Sequence, residues 1–234
     1  MAYNLTRINK YLADLGYSTR RGADELVKSK KVFINGRLAV LGSKVGEGDK
    51  VEVLKSQKFS PAFRYFAYYK PRDVVTHSPE NGQKEIKNLI SLKGVFPVGR
   101  LDKSSSGLII FTDDGRLTDR LLNPEREHEK EYEVSTAENL RGSFKKKMEE
   151  GVNVGDYKTK KCAVKVLSPN SFRIILTEGK KHQIRRMAAA LFLTITKLKR
   201  VRIMNIKLAN LKEGEWREIS GRELDIFLKS VGLN

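Results

Sequence analysis

The 234-residue sequence has few of the residues that build covalent or metal-bound sites, with one cysteine, three histidines and one tryptophan. A single cysteine excludes an internal disulfide framework. Because Cys162 has neither a CxxC partner nor a neighbouring histidine, we interpret it as a buried strand residue rather than a nucleophile. His77, His128 and His182 lie far apart without the spacing of a metal-binding motif, so we predict no metal.

Long apolar runs are also missing. No stretch approaches the roughly 18 apolar residues that a membrane-spanning helix needs. The first ten residues, MAYNLTRINK, lack the apolar core of a signal peptide. We therefore expect a cytoplasmic protein.

Basic residues are present in large excess. The chain has 46 Lys and Arg against 28 Asp and Glu, a net charge of +18, and the excess is found on both sides of residue 60. Such a balance indicates a polyanionic partner, which is a nucleic acid or an acidic membrane surface. Hydrophobic residues make up 39% of the chain, which is enough to bury a substantial core.

The first 56 residues have the pattern of a small α/β domain. Apolar residues at helical spacing predict a helix over Arg7–Leu15, and Ser18 or Thr19 can cap a second helix that extends through Val27. In VFINGRLAV the Asn35-Gly36 pair predicts a hairpin. The segment 57–63 loses this periodicity, so we predict a linker there.

From residue 64 to residue 234 the pattern favours an α+β domain, with a mixed, mainly antiparallel sheet and flanking helices. We predict strands over residues 65–71, 95–101, 107–114, 129–136, 160–167, 171–178 and 202–211. We predict helices over residues 115–123, 140–151, 181–192 and 220–232.

Basic side chains crowd the predicted helices of the N-terminal domain. A solvated surface is one explanation of such a run, but only Asp14, Asp24 and Glu25 interrupt it, which favours a phosphate-binding surface. The basic residues are Arg7, Lys10, Arg20, Arg21, Lys28, Lys30 and Lys31.

The stretch VFPVGRLDKSSSGLIIFTDDG, residues 95–115, sets a charged pair beside apolar runs. Side chains alternate faces in an extended chain, so Arg100 and Asp102 share one face and Leu101 occupies the other. Taken alone, an aspartate after a strand, such as Asp102, is better explained by a structural role, as an ion pair or a turn carboxylate, than by a catalytic one.

A second unusual stretch is EGKKHQIRRMAAALF, residues 178–192. Its apolar residues follow helical spacing, and His182, Arg185, Arg186 and Ala189 occupy the opposite face. The predicted buried stripe is Ile184, Met187, Ala188 and Leu191. Cations also gather in the first turns, where the helix dipole disfavours them by roughly 0.3 to 1 kcal/mol each. Nearby anions would offset that cost, which indicates a functional site.

Two families are recognisable in these motifs. RINKYLADLGYSTRRGADELVKSKKVFINGRLAV resembles an S4 RNA-binding domain. GRLD with the downstream SxGL and HQIRRM resembles the pseudouridine synthases of the RsuA-type ribosomal RNA branch, and this likeness covers nearly the whole chain. RIMN and EGEWREIS are most similar to members that act on large-subunit (23S) rather than 16S rRNA.

The resemblance implies an enzyme that turns uridine into pseudouridine without a cofactor. It implies that Asp102 is the catalytic carboxylate and that Arg185 is its basic partner. Tyr132 matches the tyrosine that stacks on the uracil and helps to remove the C5 proton, although the residue alone reads as an ordinary strand tyrosine. Arg100 matches the arginine that fills the space left by a flipped base, and Ile184 matches an apolar contact to that base.

The remaining candidate residues are assigned to RNA binding. In the catalytic domain they are Lys103, Lys180, Lys181, Gln183 and Arg186. In the S4-like domain they are Arg7, Lys10, Thr19, Arg20, Arg21, Lys30 and Lys31. By the resemblance, Lys70-Pro71 shapes the cleft, and the partner is ribosomal RNA. We expect a monomeric enzyme and no membrane partner.

Two glycines of the family pattern are missing here. Ser29-Lys30 replaces the usual glycine before the first strand of the hairpin, and LFLTIT, residues 191–196, has no glycine after the helix.

Two other functions compete with this reading. A non-catalytic S4-containing rRNA-binding or ribosome assembly factor would have the same N-terminal domain. A nucleoside hydrolase would need a second carboxylate roughly 5 to 9.5 Å from Asp102. Only Asp113 and Asp114 are close in sequence, and both have the pattern of turn residues. The serines at 104–106 lack a GxSxG elbow and are interpreted as a loop.

Overall fold

The computed structural model describes residues 5–54, 63–77, 79–80 and 82–233, and only the backbone of Arg21 and Lys87. The chain divides into two compact units, one of residues 1–63 with 113–116 and the other of residues 64–112 with 117–234. Most of the predicted linker lies outside the described residues.

The first unit packs two helices on short strands. Its elements are β1 (Thr6–Arg7), α1 (Ile8–Asp14), α2 (Arg20–Lys28), β2 (Val32–Ile34), β3 (Arg37–Leu38), β4 (Lys44–Val45) and β5 (Val51–Val53). β1 pairs with β4, and β2 lies between β3 and β5, all antiparallel. Ile8 and Leu12 of α1 and Ala23 and Val27 of α2 are buried in the same cluster, so the two helices share one apolar core.

Local chemistry explains these element ends. The Thr19 hydroxyl accepts a hydrogen bond from the Gly22 amide at 3.1 Å and caps α2, as the sequence predicts. Asn35 (φ 50°) and Gly36 (φ 74°) form the predicted hairpin turn between β2 and β3. The prediction that Leu15 belongs to the first helix is wrong, because α1 ends at Asp14 and Leu15 is exposed.

The second unit has the predicted α+β class. Its elements are β6 (Tyr65–Lys70), β7 (Phe96–Val98), β8 (Ser106–Thr112), α3 (Arg116–Leu122), β9 (Lys130–Thr136), α4 (Phe144–Glu149), β10 (Ala163–Ser168), β11 (Ser171–Leu176), α5 (Gln183–Ala190), β12 (Ile195–Ile203), β13 (Ile206–Lys207), β14 (Trp216–Glu218) and α6 (Gly221–Ser230). Short 3₁₀ turns cover Ile86–Asn88 and Pro124–Arg126.

A single mixed sheet organises this unit. Within the described residues it has nine strands, with the main order β10-β11-β9-β12-β8-β6-β14, while β7 pairs with β8 and β13 with β12. Its pairs are antiparallel except for β8 with β12, which run parallel. The mainly antiparallel prediction is therefore confirmed.

β12 is the main element that the sequence pattern missed. The prediction begins a strand at residue 202, whereas β12 covers Ile195–Ile203 and lies between β8 and β9 near the middle of the sheet. Its sequence ITKLKRVRI carries four basic residues, and the buried Arg200 breaks the apolar pattern that indicates a central strand.

Two further predictions need correction. The predicted strand 95–101 ends at Val98, because Gly99 turns the chain at φ 78°. Burial still alternates beyond it, with Arg100 exposed, Leu101 buried and Asp102 half-buried. Cys162 precedes β10 and is half-buried, and its thiol donates to the Met148 carbonyl oxygen at 3.1 Å. Burial raises its pKa to about 11, so it is a poor nucleophile.

Gly107 at the start of β8 allows the parallel strand to approach closely. It lies opposite Arg200 in the ladder and has φ 110°. A Cβ atom at this position would lie 2.2 Å from the Arg200 carbonyl oxygen and 2.6 Å from its amide nitrogen. The glycine of SxGL is therefore required by the packing of two central strands.

We expect Gly107→Ala to lower the free energy of unfolding by about 3 kcal/mol or more, because both the backbone angle and the clash with β12 oppose it. Denaturant unfolding of the purified protein measures this loss. Gly142→Ala is the control, because a Cβ atom there meets nothing within 4 Å. Equal stability of the two variants would contradict the close-approach explanation.

Candidate active site

The candidate carboxylate lies on the loop between β7 and β8. Asp102 has a side chain that is 35% exposed. Its carbonyl oxygen accepts a hydrogen bond from the Ser105 amide at 3.0 Å, and the next carbonyl, of Lys103, accepts one from the Asp73 amide at 2.8 Å. The buried Thr76 hydroxyl bonds both the amide and the carbonyl of Leu101. The backbone on both sides of Asp102 is thus fixed.

A buried lysine forms hydrogen bonds with the backbone of this loop. Lys70, the last residue of β6, is fully buried, and its Nζ donates to the carbonyl oxygens of Pro71 at 2.8 Å and Ser105 at 2.7 Å. Burial lowers its pKa to about 8, although the charges of Asp73 and Asp102 oppose this shift. Lys70 and Pro71 are the motif expected to shape the cleft. Lys70 contacts the Ser105 carbonyl of the Asp102 loop, and the shaping of a cleft stays a prediction.

The start of α5 brings a histidine to the carboxylate. His182 precedes the helix with φ 54°, and its Nε2 lies 3.4 Å from Asp102 Oδ1. The sequence did not predict this contact between His182 and Asp102. Its only indication was the helical spacing, which put His182 on the same open face as Arg185.

Arg185 reaches the same loop. Its guanidinium donates to the Ser104 carbonyl oxygen and to the Ser105 hydroxyl, both at 3.2 Å. Burial lowers its pKa, and the charge of Asp102 acts in the opposite direction. Arg185 makes no direct ion pair with Asp102 among the described residues, so their contact is through the loop and through longer-range attraction, and their partnership stays a prediction. The Arg185 Nε is buried without a hydrogen-bond partner.

Apolar side chains complete the site. Tyr132 on β9 is 9% exposed and belongs to the same buried cluster as Leu101 and Ile184. Arg100 is exposed at the edge of the loop. A half-exposed carboxylate beside an apolar cluster that contains a tyrosine can receive a planar base, which needs one polar contact and an apolar surface.

Two predicted RNA-binding residues have protein partners in this structure. Gln183 is buried, accepts a hydrogen bond from the Lys180 amide at 3.0 Å and donates to Glu178 at 2.5 Å, and its contact with RNA stays a prediction. Arg186 forms an ion pair with Asp156 and bonds the Val154 carbonyl oxygen at 2.8 Å.

The prediction that Lys180 and Lys181 belong to the first turns of the helix is wrong, because α5 begins only at Gln183. Lys180 lies over the Tyr157 ring, with Nζ 3.4 Å from its centroid. Lys181, like Lys103 on the Asp102 loop, is exposed and remains a candidate for phosphate contact.

The predicted RNA-binding residues of the first unit lie mainly on its surface. Thr19 is committed to capping α2, and the side chain of Arg21 lies outside the described part of the chain. The exposed candidates are Arg7, Arg20, Lys30 and Lys31, and Lys10 is half-buried. Lys30 has φ 56°, the conformation that favours the glycine it replaces.

The remaining features concern the competing functions. The Asp114 carboxylate accepts hydrogen bonds from the Arg116 amide and guanidinium at the start of α3, which fits the turn predicted there. In the described ranges, no cluster of three or more His, Cys, Asp or Glu is placed to hold a metal ion. None of the helices described is long and apolar enough to cross a membrane.

Comparison with known proteins decides the family. The profile of the RNA pseudouridylate synthases matches residues 64–190, which is more than half of the chain, and that of the S4 domain matches residues 6–51. The chain belongs to the RNA pseudouridylate synthase family. The enzyme is therefore an RNA pseudouridine synthase, an isomerase, with an S4 domain at its N-terminal end.

Relatives and a solved structure agree with this assignment. The enzyme is 39% identical over 227 residues to the dual-specificity RNA pseudouridine synthase RluF of Salmonella typhi, covering 95% of this chain and 78% of the relative. It is 32% identical over 232 residues to the ribosomal large subunit pseudouridine synthase B of Bacillus subtilis, covering 94% of each. A crystal structure of a pseudouridylate synthase matches with a TM-score of 0.69 and 25% identity, covering 96% of this chain and 99% of that one.

Lys70 gives this pseudouridine synthase a distinctive pH dependence of stability. Its pKa falls from 10.5 to about 8 on folding, so between these values the unfolded chain binds more protons and stability rises with pH. We expect the unfolding free energy of the parent, relative to Lys70→Met, to increase by up to about 3 kcal/mol from pH 8 to pH 10.5. Denaturant titrations across this range measure the difference.

Lys165→Met, at an exposed position of β10, controls for the loss of a lysine as such. A constant difference between parent and Lys70→Met over the whole range would show that the buried amine does not lose its proton there.

Proposed function

We propose that the enzyme isomerises a specific uridine of ribosomal RNA to pseudouridine, with Asp102 as the catalytic carboxylate acting on a flipped-out base. The observation that carries this proposal is the placement of Asp102. It lies on a fixed loop 3.4 Å from His182, directly after Leu101, which belongs to the same buried cluster as Tyr132 and Ile184. The relative from Bacillus subtilis that is named for the large ribosomal subunit supports 23S rRNA as the substrate.

The reaction needs no outside reactant. The bond from ribose C1′ to N1 of uracil breaks, the base turns, and C5 bonds to C1′. C5 then loses its proton, and N1 gains one, so the product is an isomer of the substrate. A carboxylate can promote the first step either as a nucleophile or as a base for a sugar proton, and both roles require its ionised form.

Two cations lie near the carboxylate. The charge of Asp102 raises the pKa values of Lys70 and Arg185 against the effect of burial. The His182 imidazole is also close, with Nε2 3.4 Å from Oδ1 of Asp102.

Access to the carboxylate requires the uridine to leave its stack, at a cost of a few kcal/mol. In this proposal the uracil ring packs on Tyr132 and Ile184, which are already part of an apolar cluster. The exposed Arg100 occupies the space that the base leaves in the RNA. Tyr132 also helps to remove the C5 proton in the last step.

The S4 domain supplies the sequence-independent part of RNA binding. Its exposed cations, Arg7, Arg20, Lys30 and Lys31, contact phosphates, with Lys10 beside them. A monomeric state and a cytoplasmic location remain predictions from the sequence.

The test uses rRNA that carries tritium at uracil C5. The parent enzyme should release tritium to water, and Asp102→Asn should lower that rate at least about 1,000-fold while RNA affinity changes little, because the amide keeps the shape of the side chain but not its charge. Asp119→Asn, at an exposed position of α3, should keep the parent rate.

Two outcomes would contradict the proposal. One is no release from any rRNA fragment by the parent enzyme, which would favour an rRNA-binding or assembly factor. The other is equal release by Asp102→Asn.

A further inference from the structure

The residue that follows α5 has an unusual backbone and an unusual exposure. Phe192 has φ 61°, a left-handed conformation that favours glycine and is an outlier for a large side chain. Its side chain gains no compensating burial, because the residue is 78% exposed, the highest fraction among the exposed large hydrophobic residues of the described chain.

The neighbouring contacts hold Phe192 in this conformation. Its amide donates to the Ala189 carbonyl oxygen at 2.9 Å, and the Leu193 amide donates to the Ala188 carbonyl oxygen at 3.0 Å. Beyond them, the Thr194 amide donates to the Glu138 carboxylate at 2.6 Å. The ring is therefore presented to solvent by a fixed turn.

Basic side chains lie beside the ring. Phe192 borders a cleft of about 80 Å³ between α4 and the end of α5, lined by Arg141, Ser143, Phe144, Lys147 and residues 190–193. The Arg141 guanidinium lies 6.0 Å from the centroid of the Phe192 ring. The lining contains no carboxylate, and within the described residues neither Arg141 nor Lys147 has an ion-pair partner.

We propose that Phe192, Arg141 and Lys147 form a second RNA-binding site, which stacks one unpaired base of the substrate on the Phe192 ring and neutralises its phosphate. An exposed aromatic ring beside unpaired cations is the combination that binds single-stranded RNA. The cleft is far too small to enclose a ligand of cofactor size, so the base lies on the ring at its edge.

The position of the site suits a nucleotide of the same RNA. α5 has eight residues and is therefore roughly 12 Å long. His182, which contacts Asp102, precedes it, and Phe192 follows it. One rigid helix thus connects the reacting carboxylate to the stacking residue. This inference rests on the proposed action on RNA, but not on the role of Asp102.

Phe192→Gly separates a binding role from a structural one, because the two roles predict opposite effects. Glycine suits the left-handed backbone, so thermal stability should not fall. Affinity for a fluorescein-labelled RNA hairpin with a single-stranded loop should weaken at least about fivefold, because a stacked base is lost. Phe192→Tyr keeps a ring and should bind as the parent does.

Further variants test the cations and the need for an unpaired base. Arg141→Gln should weaken hairpin binding, whereas Arg222→Gln, at an exposed position of α6, should weaken it less. Binding of a fully paired RNA duplex of equal length should change little in Phe192→Gly.

Three results would overturn the inference. These are parent-like hairpin binding by Phe192→Gly, an equal loss on hairpin and duplex, and a lower melting temperature that accounts for the weaker binding. If the parent itself binds no hairpin, the proposed function fails with it. If the parent binds and Phe192→Gly binds equally, only the second site is excluded.

Discussion

The position of the Asp102 loop depends on the hydrogen bonds of one buried group, the Lys70 ammonium. It donates to the backbone carbonyls of Pro71 and Ser105 and so joins the end of β6 to the loop that carries Asp102. A buried cation is costly, and the depressed pKa of about 8 is a measure of that cost. The charge of Asp102 offsets part of it. The carboxylate and the lysine beside its loop therefore attract each other, and the backbone of this loop is already fixed in the free protein.

The sheet provides the rigid support for this arrangement. Gly107 lets β12 approach β8 closely, and Arg200 on β12 donates its Nε to the Leu108 carbonyl oxygen at 2.7 Å. β8 begins directly after the loop of Asp102, so the position of the loop is determined by two central strands. On the other side, α5 delivers His182 and Arg185 to the same loop. A strand, a helix and a buried side chain thus constrain one short segment.

Much of this could be predicted from residues with strong local preferences. Thr19 and the Asn35-Gly36 pair have one dominant use each, as a helix cap and a hairpin turn, and both predictions are confirmed. β12 was missed because its basic residues hide a central strand, and the burial of Arg200 depends on a strand far away in sequence. The contact of His182 with Asp102 was missed for a related reason: its left-handed backbone, which turns the ring toward the loop, is set by tertiary packing and has no sequence signature. Lys30 and Phe192 show a different limit. A glycine of the family pattern is missing from each of their segments, Ser29-Lys30 and residues 191–196, but only the structure shows which residue takes the left-handed conformation.

We infer that Lys70 acts by positioning the Asp102 loop rather than by binding RNA. The single-turnover rate of pseudouridine formation by Lys70→Met, measured together with its Kd for the same rRNA fragment, separates these two roles. The rate should be at least about tenfold below that of the parent at unchanged Kd, because small displacements of a reacting group are costly. Lys130→Met is the matched control, since Lys130 also has a pKa of about 8 through burial but donates to the His128 carbonyl oxygen, away from the loop. A parent-like rate for Lys70→Met, or an equal loss in both variants, would exclude this positioning role of Lys70.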